Sequence, residues 1–367
     1  MDYSFELNNA RRDETFASGK IKSTSPVVEI FSALVDGKDL SKFGKKADVA
    51  ITHMKGLAES AQAGDYKAMA ELNEIRKFVI QPRLLQEIKL LGVFGSYKQL
   101  GWNEVPEIES IEIDNVRAEI QAEGQDVPTP FIRRKKSRLA PITISSGYKV
   151  NYRELAFGDF TNENLLKGEV IKEIRNKAAL YVIETVFNAI DTYTGAVKYF
   201  EESAGLNKTG VDALLTKIRR YGKPNVIGDY AVLAQFLPWI GYSGNVGITG
   251  VSEKLLDEIA DTGLVGTYNG SVLSEIPNGY NFNKLNTKGD NYDTLLPAGL
   301  AFVTPAAPIN GVSAVQTFTV GGLTSFTGNS VSTGDILTRF DLAVAAGVAP
   351  GAEDTIGIIH DTNLDSL

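Results

Sequence analysis

The chain has 367 residues, 43% hydrophobic and 22% charged, which suits a folded protein of two or three subdomains with real apolar cores. Its formal net charge is −8, and no region is net basic: residues 1–80 carry twelve acids and twelve bases, residues 81–160 eleven of each, and the remainder twenty-two acids against fourteen bases. That excludes a tight nucleic-acid ligand, and the absence of cysteine excludes disulfides, thiolate chemistry and cysteine-ligated metal.

No basic-then-apolar leader opens the chain, and no run reaches the roughly 18 apolar residues a bilayer span needs, so neither secretion nor a membrane partner is expected. Residues 1–25 are polar and rich in Ser and Thr, a composition that does not fold alone. Beyond Pro26 short helical patterns begin. Tyr66, Met69, Leu72, Ile75 and Val79 share one face of a helix that starts at Gly64–Asp65, and Leu84, Leu85, Ile88 and Leu91 repeat the pattern. Two arrangements satisfy this segment: a small helical bundle, or an arm laid across other molecules.

From Glu104 to Phe157 the sequence predicts a long hairpin with opposite charge on its arms. The outgoing arm carries Glu104, Glu107, Glu109, Glu112, Asp114, Glu119, Glu123 and Asp126 against Arg117 alone; the return opens with Arg133, Arg134, Lys135, Lys136 and Arg138. Gly124, Pro128 and Pro130 supply the turn. A parity switch at Asp114–Asn115 predicts a bulge, whereas Ile142, Ile144, Tyr148, Val150 and Tyr152 keep one parity. Arms of about fifteen residues would reach about 50 Å. A two-stranded ribbon of that length is marginal alone. It makes sense where another copy of the chain supplies the missing surface, which points to an assembly subunit.

The longest helical signal runs from Thr161, a suitable N-cap, to Thr192. Ile171, Ile174, Ala178, Tyr181, Val182, Thr185 and Ala189 form its apolar stripe, and Lys167, Glu169, Lys172, Glu173, Arg175 and Lys177 its solvent face. Glu169 and Glu173 are a like-charged i,i+4 pair that wants a base nearby. Helices are then expected near 209–221, 230–237 (stopping at Pro238) and 252–262, the last capped by Gly263, around a buried strand Asn225–Gly228. Asn269–Gly270, Asn278–Gly279 and Asn310–Gly311 are hairpin cues. The closing stretch alternates as strands at Phe318 and Val320, at Phe340, Leu342 and Val344, and at Ile356 and Ile358.

Motifs for other functions are weak. The basic run 133–138 has poor aromatic interleaving and follows eight acids, so it reads as a protein-facing surface rather than a nucleic-acid patch. His53 and His360 are the only histidines and no G-x-S-x-G elbow exists, so no catalytic triad is expected. Gly244, Gly247 and Gly250 lack phosphate-loop spacing, and Asp290 and Asp293 are too few for a calcium loop. Trp102 and Trp239 read as packing anchors. No enzyme activity, cofactor or metal site is expected.

The order of parts resembles the major capsid proteins of tailed bacteriophages, with their Hong Kong 97-type α+β fold. The most specific stretch, Asp261 to Val272, contains Gly263, Gly266, Asn269 and Gly270 in a pattern similar to that family's axial-domain "G-x-(I/V)-G-x-(I/L/Y)-x-G-x-x-V" run, and Leu296–Phe302 resembles the strand leading out of that domain. The resemblance implies an N-terminal arm (1–80), a peripheral domain (81–105, 157–195 and 310–367) with spine helix 161–192, an extended loop (106–156) and an axial domain (196–309). It implies that Glu109, Glu112, Asp114, Glu119, Arg133, Arg134, Lys135, Lys136 and Arg138 meet neighbouring subunits, and that the loop Tyr242, Ser243, Gly244 and Asn245 crowds a symmetry axis. Partners would be other copies in pentamers and hexamers, with scaffold, portal and decoration proteins, around DNA enclosed without sequence-specific binding. The place would be the virion, assembled in host cytoplasm, with expansion as DNA enters. The arm is expected to stay attached, with scaffolding from another chain. Lys135 or Lys136 lies where some relatives form a Lys–Asn crosslink, but most lack it and none is expected here. An encapsulin-type nanocompartment shell is the alternative, and a soluble hydrolase a distant third.

Overall fold

The structure is a computed structural model that describes residues 25–36, 38–114, 131–157, 161–195, 197–240, 266–286, 288–329 and 335–364. Three N-terminal helices come first: α1 (Pro26–Val35), α2 (Lys45–Gln62) and α3 (Tyr66–Lys89). Asp65 starts α3 by accepting the Lys67 amide at 2.9 Å. The helix runs through Pro82 without ending, because apolar residues on both sides of the proline, Val79, Ile80, Leu84 and Ile88, are buried in one core. Tyr66, expected on the apolar face, is 80% exposed.

Strand β1 (Ser96–Leu100) follows, then the ribbon strands β2 (Glu107–Asp114) and β3 (Phe131–Arg138), then β4 (Ile142–Val150), the short α4 (Tyr152–Phe157) and the long α5 (Thr161–Asp191). Near the C-terminus, β12 (Val315–Asn329) and β13 (Ile336–Val348) form a long antiparallel pair. The order β1-β12-β13-β4 makes a four-stranded sheet, parallel only at β1–β12. Ile174, Ala178, Val182 and Val186 of α5 join Phe340, Leu342 and Val344 of β13 and the apolar residues of α1 to α3 in the largest core. The alternation in β13 is as the sequence predicts; of the expected α5 stripe Ile174, Ala178 and Val182 are buried, whereas Ile171, Tyr181, Thr185 and Ala189 are half-buried and Val170, Ile183, Val186 and Ile190 complete the buried face.

A second, six-stranded sheet has the order β5 (Tyr199–Ser203), β14 (Gly357–Asp361), β11 (Leu300–Pro305), β6 (Pro224–Gly228), β8 (Ser271–Glu275) and β7 (Thr267–Tyr268). Helix α6 (Lys208–Ile218) and the single turn α7 (Tyr230–Leu233) pack on it around Val211, Val226, Phe236 and Val303. After α7 the chain tightens into 3₁₀ turns, Ala234–Ile240, that pass through Pro238. A separate hairpin, β9 (Tyr280–Leu285) with β10 (Tyr292–Thr294), stands apart from both sheets.

The structure corrects several expectations. Residues 26–80 are not a free arm: their apolar faces lie in the chain's own core, so the bundle arrangement holds there. The hairpin is shorter than 106–156, because β4 leaves it to pair with β13 over nine residues. Its parity is that of a half-buried strand, and Ile144, Tyr148 and Val150 are in the core of the same molecule. The final strand β14 joins the second sheet, between β5 and β11, and its Ile358 lies in the largest core together with spine residues. Trp102 is 64% exposed; it lies over Gly321, whose φ of +75° and clash with that indole exclude a side chain there. Lys167 is buried rather than on a solvent face, reaching Asp36 at 2.8 Å. Asn278–Gly279 makes no left-handed turn; its amide instead ties Asp229 to Leu296. Asn269–Gly270 and Asn310–Gly311 do adopt positive φ, as such turns require.

Candidate assembly interface

The ribbon is built residue by residue from cross-strand pairs. Glu107 lies opposite Arg138, Glu109 opposite Lys136, Ile111 opposite Arg134, Glu112 opposite Arg133 and Ile113 opposite Ile132. Lys136 reaches Glu109 at 2.6 Å, Lys135 reaches Glu112 at 2.6 Å, and Arg138 reaches Glu107 at 3.4 Å. The hydrogen bond from Lys136 holds Glu109 below the usual carboxylate range, and that from Lys135 does the same for Glu112. The expected partners on a neighbour are thus, for three of the five bases, acids of the same ribbon, because antiparallel pairing sets the two charge runs face to face. Arg133 stacks on Phe131, 4.6 Å from the ring centre. Glu119 and the bulge at Asn115 lie outside the described residues.

The base of the ribbon is fixed to the body. Ile108 is buried with Leu100, Phe318, Val320, Ala345 and Ala349 on the face of the first sheet opposite the spine. Along the outer edge of β2, the buried Gln316 acts as a substitute strand: its Nε2 donates to the Glu109 carbonyl at 2.8 Å and its Oε1 accepts the Glu109 amide at 3.2 Å. Asn310 donates to the Ile111 carbonyl at 3.2 Å. Sequence reading missed these anchors, since nothing local marks Gln316 or Asn310 as partners of residues some 200 positions away. With β2 occupied, the free edge is β3, exposed along all eight residues. Charged residues guard it, and Ile113, Phe131 and Ile132 are exposed at its far end.

The turn at residues 266–270 is also held by side chains. Asp212 on α6 accepts from the Tyr268 hydroxyl at 2.8 Å and from the Asn269 amide at 3.0 Å, and Arg219 donates to the Asn269 carbonyl at 2.8 Å. Tyr268 packs edge-on against Phe236 and beside Trp239, so the G-x-Y-x-G spacing places a core aromatic between Gly266 and Gly270. Gly270, at φ +76°, passes under Arg219. Gly263 and Tyr242, Ser243, Gly244 and Asn245 lie outside the described residues.

Other features describe surface rather than chemistry. An open groove of about 930 Å³ on the outer face of the first sheet is lined by Ser145, Gly147, Lys149, Phe326, Leu337 and Arg339. His53 is buried against Glu71 at 2.6 Å, joining α2 to α3, and His360 faces Glu202 at 3.7 Å. Among the described residues no cluster of three or more metal-ligating side chains occurs, and no helix is long and apolar enough to cross a membrane.

The ribbon thus has one edge exposed and the other anchored on a two-sheet α+β body. The chain belongs to the family described as "SPbeta prophage-derived putative capsid protein YonB", whose model matches residues 14–360. Membership of that family makes it a structural capsid protein. No curated protein matches it. Among solved structures, the virus-like particle from Pyrococcus furiosus is similar at 10% identity and a TM-score of 0.44, over 77% of this chain and 97% of that one. The capsid of cyanophage P-SCSP1u is similar at 10% identity and 0.46, over 72% and 86%. The mature capsid of bacteriophage PhiM1 is similar at 13% and 0.42, over 73% and 85%. At such identities a likeness concerns fold alone.

Proposed function

We propose that this capsid subunit assembles into the pentamers and hexamers of an icosahedral shell enclosing double-stranded DNA. The family match supports the shell. The observation that carries the assembly mode is the ribbon: anchored at its base, exposed along β3, and ending in exposed Ile113, Phe131 and Ile132. A lone protomer leaves this surface wet; a neighbour covers it, and repeated apolar overlap supplies most of the stability of the shell. The exposed ion pairs add only about 0–1 kcal/mol each, so their role is register and choice of partner.

Scaffold, portal and decoration proteins are the further partners of this reading, with assembly in host cytoplasm and expansion as DNA enters. The net charge of −8 fits a wall around DNA rather than a ligand for it. The family match favours a phage shell over a nanocompartment, and a structural role over a hydrolase. Size exclusion and negative-stain imaging of purified protein test the reading: closed shells support it, and a stable monomer that turns over a substrate contradicts it.

A further inference from the structure

The hairpin β9–β10 belongs to neither sheet and holds a cluster of aromatic rings in solvent. Tyr280 and Phe282, two positions apart on β9, share a face, and Tyr292 of β10 meets Phe282 edge-on at 5.2 Å. The three are 48%, 68% and 41% exposed, although burying such rings is among the larger gains a fold can make. β9 is exposed at every position but Asn281. The rim of the cluster is polar: Asn291 donates to the Tyr280 hydroxyl at 3.4 Å, and Lys284 is paired with Asp293.

The rings are held in place from both ends of the hairpin. At its root Asn278 donates to Asp229 and to the Leu296 carbonyl. At the far turn the Asn286 side chain donates to Asp290 and accepts the Gly289 and Asp290 amides. A surface fixed in this way loses little freedom when a ligand arrives.

Size and charge narrow the occupant. The strands hold six and three residues, against about 20–30 a side in a standard protein interface, so the hairpin is too small to hold a protein by itself. Nucleic acid would stack on the rings but also needs bases for its phosphates. Asp293 already neutralises Lys284, which leaves Lys288 as the exposed base of the hairpin among the described residues. A sugar fits both limits. Its C–H face lies on an aromatic ring, and its hydroxyls exchange hydrogen bonds with an amide, a phenol and a carboxylate, the groups present at this rim.

We propose that the hairpin binds neutral carbohydrate, one or two sugar rings at a time, stacked on Tyr280 and Phe282 with hydroxyls held by Asn291 and Asp293. A single site of this size is weak. Repeated over the copies of a shell, it would hold a polysaccharide firmly. The site itself goes beyond the shell reading and does not depend on it.

Purified full-length protein is passed over immobilised dextran, mannan, galactan and chitin, with heparin as the anionic control. Wild type is retained on at least one of the four neutral polymers, is released by that polymer's free monosaccharide, and is unaffected by added salt. The variant carrying both Phe282→Ala and Tyr292→Ala loses retention about tenfold or more, whereas Phe282→Trp keeps it, and both keep the wild-type circular dichroism. Retention on none of the four, on heparin only, or undiminished in the double alanine variant overturns the proposal. So does a map of assembled particles with Phe282 buried against another copy. Retention without shell formation overturns the shell reading alone, so the two failures are distinct.

Discussion

Arg76 is the most consequential single side chain in the core. Only 1% exposed, it donates to both oxygens of Glu163 at 2.6 and 2.8 Å and to the Thr338 hydroxyl at 2.8 Å, while Tyr148 donates to Glu163 at 2.7 Å. One network thereby joins α3, α5, β13 and β4. Burial opposes the charge on Arg76, but Glu163 outweighs it and holds the guanidinium pKa up; burial also pushes Tyr148 up. Glu163→Gln leaves a buried cation without its counter-charge and should destabilise the protomer by about 3–5 kcal/mol in denaturant titration. A loss below about 1 kcal/mol contradicts the assigned role. Asp36 forms the corresponding tie for α1, accepting from Arg83, Lys167 and Lys38. Burial acts to raise its pKa, yet those hydrogen bonds outweigh it and hold the carboxyl well below the usual range. A depressed carboxylate stabilises above its unfolded value, about 3.9, and that stability is lost as pH falls through the folded value. The stability of the protein should therefore drop below about pH 4, and Asp36→Asn should weaken that dependence while lowering stability at pH 7. An unchanged pH profile contradicts the tie. Neither role was legible in sequence: Lys167 reads as a solvent residue because periodicity cannot show a carboxylate 131 positions away.

At the scale of elements, the ribbon pairs three of its bases with its own acids and grips its own body, so part of the surface expected from a neighbour is supplied within the protomer. This revises the expectation of a ribbon completed only from outside. Gln316 makes a specific expectation possible. Gln316→Ala removes the acceptor from the Glu109 amide, whose hydrogen exchange should quicken several-fold while the pairing of β12 with β13 stays protected. Unchanged exchange at Glu109 removes Gln316 from its anchoring role. The sequence made the strands of this region legible, including the single parity of 142–150 and the charge runs that pair. It left open which sheet β4 joins, because a period of two shows that one face is buried but not against what. The spine was the most legible element, since a long stripe of period 3.6 depends on no distant partner.

For the whole molecule, local patterns supplied the order of helices and strands, while the division into peripheral domain, extended loop and axial domain was what the resemblance implied. What escaped were pairings between distant segments: β14 lies beside β5 and β11 in the second sheet, and α1 to α3 fill the core instead of reaching outward. Both outcomes are decided by tertiary burial, which short apolar patterns leave open. The same limit applies to the interface. Exposed charge was visible in sequence, but only the register showed which bases are already paired within the ribbon. The most direct measurement is electron cryomicroscopy of the purified assembled protein. The account predicts closed icosahedral shells in which residues 107–138 of every copy rest on an adjacent subunit. Monomers under assembly conditions, or ribbons touching only their own protomer, would contradict it.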